Sequence, residues 1–283
     1  MEISYYPGCT LTGSAQDLDE SFRSVAAKLD ILLKEIPDWT CCGASSAHMV
    51  DEYLETALPA HDLMAAQDIG LDVVAPCAAC HLRLKAASRR LMEDESLRAE
   101  FPFTGGIQVL AGLELFARTE SLALVKERLV KPLEGLRVVP YYGCLAVRPP
   151  EIIEPDDPEN PMEMDRLLEA LGAEVVSWPY KTDCCGGSLT LTRTDLVLKL
   201  SRKLLDMALL VEADAMVTFC PMCQANLDTR QEEISQETGK LYELPIFYLT
   251  ELMGVALGEE GARSWFSKHL VSPERVLQTK GLL

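Results

Sequence analysis

The chain has 283 residues, 48% of them hydrophobic and 25% charged, which is the length of about two average domains and the composition of a globular protein with a sizeable core. Its net charge of −18 argues against nucleic acid or an anionic membrane surface as partner, since both are bound through clustered Lys and Arg. Met1-Glu2-Ile3-Ser4 shows neither a basic n-region nor an apolar h-region, and no run of about 18 apolar residues suggests a membrane span, so a cytoplasmic location is expected. Thiols are kept reduced there, and ten cysteines then indicate metal or redox chemistry instead of a disulfide framework.

Residues 2–6 are β-prone and end in Pro7-Gly8, which predicts a strand followed by a loop carrying Cys9. Leu18, Phe22, Val25, Leu29 and Leu32 follow at spacings of three or four, the stripe of an amphipathic helix. Residues 39–43 read as a turn holding Cys41 and Cys42, and 49–69 as a helix with Pro59 as its expected kink. A short buried strand at 71–75 delivers Cys77, with a basic helix through Arg83, Lys85, Arg89 and Arg90 behind it, and a helix at 109–117 closes the first half. The second half opens with a strand at 136–140 ahead of Gly143-Cys144, followed by a loop dense in proline and acid at 148–161. Leu167, Leu168 and Leu171 mark a helix stopped by Gly172; 173–178 reads as a strand, 194–211 as a helix and 215–219 as a strand feeding Cys220. Residues 246–257 and the tail with Trp265 and Phe266 read as terminal helices.

The two halves carry one pattern. Cys41-Cys42-Gly43 is followed after thirty-three residues by Cys77-Ala78-Ala79-Cys80, and Cys184-Cys185-Gly186 after thirty-three by Cys220-Pro221-Met222-Cys223, an offset of 143 throughout. A fifth cysteine precedes each copy, in Tyr5-Tyr6-Pro7-Gly8-Cys9 and Tyr141-Tyr142-Gly143-Cys144, so all ten are used. The expectation is a duplicated α/β protein of two tandem, pseudo-symmetric units, 1–134 and 135–283, with small, mostly parallel sheets. Its cysteines sit on loops at the carboxyl ends of strands, where sites in open α/β sheets usually lie.

Adjacent cysteines bridge each other only with strain, their Cα atoms being about 3.8 Å apart. Zinc uses four ligands, one fewer than each repeat offers. Cys77-x-x-Cys80-His81 matches the haem attachment pattern, but the second copy has Gln224 in place of His81, so His81 is read as incidental. Soft thiolates suit iron and sulfur, and a cubane takes four. Five per repeat from three loops imply a bridging thiolate or a cluster that departs from the closed cube and leaves irons open to substrate. Gly43 and Gly186 allow the tight turn that lets neighbouring thiols converge.

This pattern resembles the cysteine-rich domain that defines the B subunit of heterodisulfide reductase, over nearly the whole chain and including Gly8-Cys9, Gly143-Cys144 and Cys220-Pro221-Met222-Cys223. The resemblance implies two non-cubane [4Fe-4S] clusters flanking a disulfide between the domains. One would be held by Cys9, Cys41, Cys42, Cys77 and Cys80, the other by Cys144, Cys184, Cys185, Cys220 and Cys223, with Cys41, Cys42, Cys184 and Cys185 on the substrate side. It further implies a ferredoxin-like C subunit as electron donor and a flavin-bearing, iron–sulfur A subunit beyond it. No dinucleotide or ferredoxin-cubane motif occurs in the chain, so its electrons come from such partners.

The expected activity is reduction, or formation, of a disulfide, with one electron from each site. The alternatives are an iron–sulfur electron-transfer protein that never meets substrate and a zinc-stapled interaction scaffold. For an anionic substrate the candidate cations are Arg83, Lys85, Arg148, Lys181 and Arg193, each read more readily as a surface charge. His48 is a weak candidate proton donor, because the second repeat has Leu191 at its offset. Phe247, Tyr248 and Met253 read as core, or as an interface for a partner.

Overall fold

The computed structural model describes residues 1–44 and 46–283. Eight strands form two four-stranded, wholly parallel sheets of identical order, β2-β1-β3-β4 and β6-β5-β7-β8. The first comprises β1 (Glu2–Tyr5), β2 (Leu32–Glu35), β3 (Val73–Ala75) and β4 (Val109–Ala111). The second comprises β5 (Arg137–Pro140), β6 (Glu174–Val175), β7 (Ala215–Thr218) and β8 (Ile246–Tyr248). Central strands β3 and β7 are buried throughout, as parallel strands covered on both faces must be.

Three strands lie inside runs that the sequence reads as helix, and a fourth is shorter than expected. The amphipathic stripe is a helix only over Gln16–Lys28. Leu29 caps it, Asp30 turns left-handed at φ 53°, and Ile31 N–H returns to Ala26 O at 2.9 Å, which ends the helix and releases Leu32 as the first residue of β2. Residues 109–117 and 246–257 each divide into a strand and a helix, because Glu114 and Glu251 accept the backbone N–H of Ala111 and Tyr248, both at 2.8 Å, and so start the helices Gly112–Ala117 and Leu249–Ala256. A short apolar run ahead of a helix reads as more helix, since periodicity alone does not separate the two. The strand expected at 173–178 shrinks to Glu174–Val175.

The halves are interlocked. The Gln16–Lys28 helix of the first packs on Leu249–Ala256 of the second, and Glu163–Ala170 of the second packs on Gly112–Ala117 of the first. Ser21 and Thr250 hydroxyls meet at 2.7 Å across this boundary, and Ser24 donates to Glu259 at 2.7 Å. One contiguous hydrophobic core runs through both sheets. Phe247, Tyr248 and Met253 belong to it, so they are core residues and no part of an exposed surface.

Candidate metal centres

In each half the first three strands of the chain bring their carboxyl ends to one place. Cys9 follows β1, Cys41 and Cys42 follow β2, and Cys77 follows β3 as the cap of the Ala78–Glu93 helix, whose first turn carries Cys80. Cys144, Cys184, Cys185, Cys220 and Cys223 repeat this on β5, β6, β7 and the Pro221–Thr229 helix. All ten cysteines are free.

The thiols converge. Sγ of Cys42 and Cys80 lie 3.3 Å apart, and those of Cys185 and Cys223 3.6 Å. Cys41 Sγ accepts from Gly43 N–H at 3.5 Å and Cys184 Sγ from Gly186 N–H at 3.2 Å. These contacts spread the acidities. Its hydrogen bond with Cys80 draws the Cys42 thiol down to about 7, and that with Cys144 draws Cys184 down to about 6. Their partners move the other way: the bond to Cys42 pushes Cys80 up and the bond to Cys184 pushes Cys144 up. The lowered members, Cys42 and Cys184, are those most readily converted to thiolate, the form that binds metal.

Two pairs of residues that the sequence displays without explaining hold this geometry in place. Tyr6 donates to Thr40 O at 2.6 Å and Tyr141 to Asp183 O at 2.7 Å, so each phenol braces the residue just before a Cys-Cys pair. A Cβ placed on Gly8 would stand 3.1 Å from Cys80 Sγ, and one on Gly143 2.9 Å from Cys223 Sγ. Both glycines also have positive φ, 65° and 71°. Here glycine clears the floor of the site, and a soft five-thiolate donor set around that space fits an iron–sulfur group.

Of the four cysteines expected on a substrate side, Cys41 is half-buried and Cys184 exposed, whereas Cys42 and Cys185 are buried against Cys80 and Cys223. Cys9 is the exposed member of the first quintet. The two quintets are neighbours: the Ala78–Glu93 helix packs on the Cys144–Ala146 turn. Burial, then Asp17 and Glu251, then Cys220 of one quintet and Cys77 of the other hold the buried Tyr248 phenol well above its usual value. A cavity of about 50 Å³ lies between residues of the two halves, lined by Ala111, Glu114, Tyr142, Val147 and Phe219. Glu114 also lines an open groove of about 700 Å³ with Lys85, Arg89 and Arg118.

The candidate cations do not converge on a pocket. Arg83 pairs with Glu55 at 2.6 Å, Arg193 with Asp195 at 2.8 Å and Arg148 with Glu159. Lys181 is buried in a 2.6 Å pair with Asp165, where it holds the Cys144 loop from beneath, its own carbonyl accepting Gly143 N–H at 3.1 Å. Only Lys85 borders the groove, and it donates to Ile153 O at 2.8 Å. His48 is half-buried with Nδ1 3.3 Å from Gly43 O. Burial drives His81 down to about 3, so it is a neutral imidazole beside Cys80.

Two interlocked parallel α/β units, each gathering five thiols at strand ends, define a duplicated cysteine-rich protein. The chain belongs to the CCG cysteine-rich domain family, which it matches over residues 3–85 and 138–228. It is 31% identical over 264 residues to the 8-methylmenaquinol:fumarate reductase membrane anchor subunit of Wolinella succinogenes, covering 91% of this chain and 92% of that one. To the B subunit of the ferredoxin:CoB-CoM heterodisulfide reductase of Methanosarcina mazei it is 25% identical over 269 residues, covering 91% and 89%. A crystal structure of a hypothetical protein from Helicobacter pylori superposes with a TM-score of 0.73 at 11% identity, covering 96% of this chain, which spans about half (52%) of that protein. Among the described residues, no helix is long and apolar enough to cross a membrane.

Proposed function

We propose that the chain is an iron–sulfur component of a multi-subunit oxidoreductase that reduces or forms a disulfide between its two halves, 1–134 and 135–283. The observation that carries this reading is the pair of equivalent cysteine quintets adjoining across one interface. Cys9, Cys41, Cys42, Cys77 and Cys80 hold one cluster and Cys144, Cys184, Cys185, Cys220 and Cys223 the other, each with more thiolates than a closed cubane takes. Such a group, when bound, supplies one-electron chemistry. A disulfide takes up two electrons and two protons to give two thiols, which suits two one-electron sites set close together. Tyr6 and Tyr141 hold the Cys-Cys loops, Gly8 and Gly143 leave the space, and the groove bordered by Lys85, Arg89 and Arg118 leads through Glu114 toward the interdomain cavity. Electrons arrive from a ferredoxin-like partner and a flavin protein beyond it, consistent with relatives named as subunits of larger reductases.

The 31% identity to a fumarate reductase component supports a second reading, in which the sites pass electrons without meeting a substrate. Iron and sulfide analysis with EPR of protein purified without oxygen separates the two. About eight irons per chain, four for each site, and a signal that appears when a thiol is added to the oxidised protein are expected of the disulfide enzyme. Full iron with spectra indifferent to thiols would leave the electron-transfer role, and absence of iron would end both.

A further inference from the structure

A buried cluster of nitrogen and oxygen donors lies at the interlocked boundary, on residues outside the cysteine quintets. Asp17 stands in the first turn of the Gln16–Lys28 helix, Glu251 in the first turn of Leu249–Ala256, and His269 just after the Phe266–Lys268 turn. His269 Nε2 is 2.9 Å from Glu251 Oε1 and 3.8 Å from Asp17 Oδ2, and one donor atom from each of the three lies within 4.8 Å of the others. Asp17 is 4% exposed, and its Oδ1 has no hydrogen-bond partner among the described residues.

A carboxylate oxygen this deeply buried with no hydrogen-bond partner is costly unless a cation meets it. Donors bonded to one zinc ion at about 2.0–2.1 Å in a tetrahedron stand about 3.3 Å apart, a spacing that 2.9 and 3.8 Å bracket. Around that point the frame is firm. Glu251 keeps its other oxygen on Tyr248 N–H at 2.8 Å, and Asp228 fixes the chain beyond His269 by accepting Leu270 N–H at 2.7 Å and Val271 N–H at 3.1 Å. The matching carboxylates of the other boundary, Glu114 and Glu163, line the interdomain cavity instead.

We propose that Asp17, Glu251 and His269 form a divalent transition-metal site, suited to zinc, that staples the first half of the chain to the second. Imidazole and carboxylate donors suit such an ion, whereas the cysteine quintets are soft. Two carboxylates and a neutral imidazole balance a dication, and Asp17 Oδ1 offers a fourth donor atom by bidentate ligation. The site is closed to solvent, so its role is structural.

The test uses the full chain, purified without oxygen, with zinc counted first as isolated and then, after removal by a chelator, on titration with zinc chloride. Expected are about one zinc per chain at saturation and an X-ray absorption spectrum with nitrogen and oxygen neighbours near 2.0–2.2 Å and no sulfur near 2.3 Å. Asp17→Asn and His269→Gln are expected to weaken zinc at least tenfold while the iron count stays that of the wild type. Zinc should also raise the wild-type melting temperature and leave the variants unmoved. Sulfur neighbours would put the ion in the quintets and overturn the proposal, without touching the iron–sulfur reading. So would zinc retained by both variants, or no zinc either as isolated or on titration, which would make His269 an imidazolium paired with the two carboxylates. The wild-type spectrum decides even where a variant folds poorly.

Discussion

Gly143→Ala isolates the space that the second quintet requires. At φ 71° and ψ 174°, a region open essentially to glycine alone, an alanine carries strain of about 1–3 kcal/mol, and its Cβ stands 2.9 Å from Cys223 Sγ, closer than such atoms approach. Gly135→Ala supplies the control, because Gly135 has φ 76° with nothing within 4 Å of the added carbon and therefore carries the strain alone. Both variants should lose stability from strain, a few degrees in melting temperature for a protein of this size, with Gly143→Ala losing at least as much as Gly135→Ala. They should differ in iron: Gly143→Ala displaces the Cys223 sulfur and is expected to lose about half the iron, four of about eight atoms, while Gly135→Ala keeps all of it. Iron and sulfide analysis beside thermal melts checks this. Full iron in folded Gly143→Ala, equal to that of Gly135→Ala, would refute the argument that glycine is there to clear the site.

Phe22→Ala removes a fully buried ring that stacks on Tyr5 at 5.6 Å and lies 4.9 Å from Phe116, and should cost about 3–5 kcal/mol, read as a lower urea midpoint. Asp62 supplies a pH dependence. Burial raises its carboxyl to about 6, one oxygen accepting Thr40 N–H at 2.7 Å. The unfolded chain takes up that proton only near 3.9. The folded form is therefore favoured below pH 4, and this contribution, at most about 3 kcal/mol, is lost as pH rises through 6. Urea midpoints from pH 4.5 to 7.5 should fall more steeply in the wild type than in Asp62→Asn, and parallel curves would show the carboxyl to be unperturbed.

The duplication, the parallel α/β class, the sheet strands β1, β3, β5 and β7 and the ten-cysteine pattern are all legible in the chain itself, because a repeat at fixed offset and cysteine spacing are linear properties. Tyr6, Tyr141, Gly8 and Gly143 are equally plain there, yet their task becomes visible only with Thr40 O, Asp183 O and the two sulfurs in place. Strands β2, β4 and β8 were hidden in apparently helical runs, since the hydrogen bonds that divide them, Ile31 to Ala26 and the Glu114 and Glu251 caps, are local choices that hydrophobic spacing does not encode. Packing in three dimensions settled the rest. It paired Lys181 with Asp165 and so removed it from any pocket. It sank Cys42 and Cys185 while leaving Cys9 and Cys184 open. Packing the helix of each half on the other brought Asp17 to His269, 252 positions later in the chain, a proximity that no local pattern carries because it depends on how two apolar helix faces bury each other.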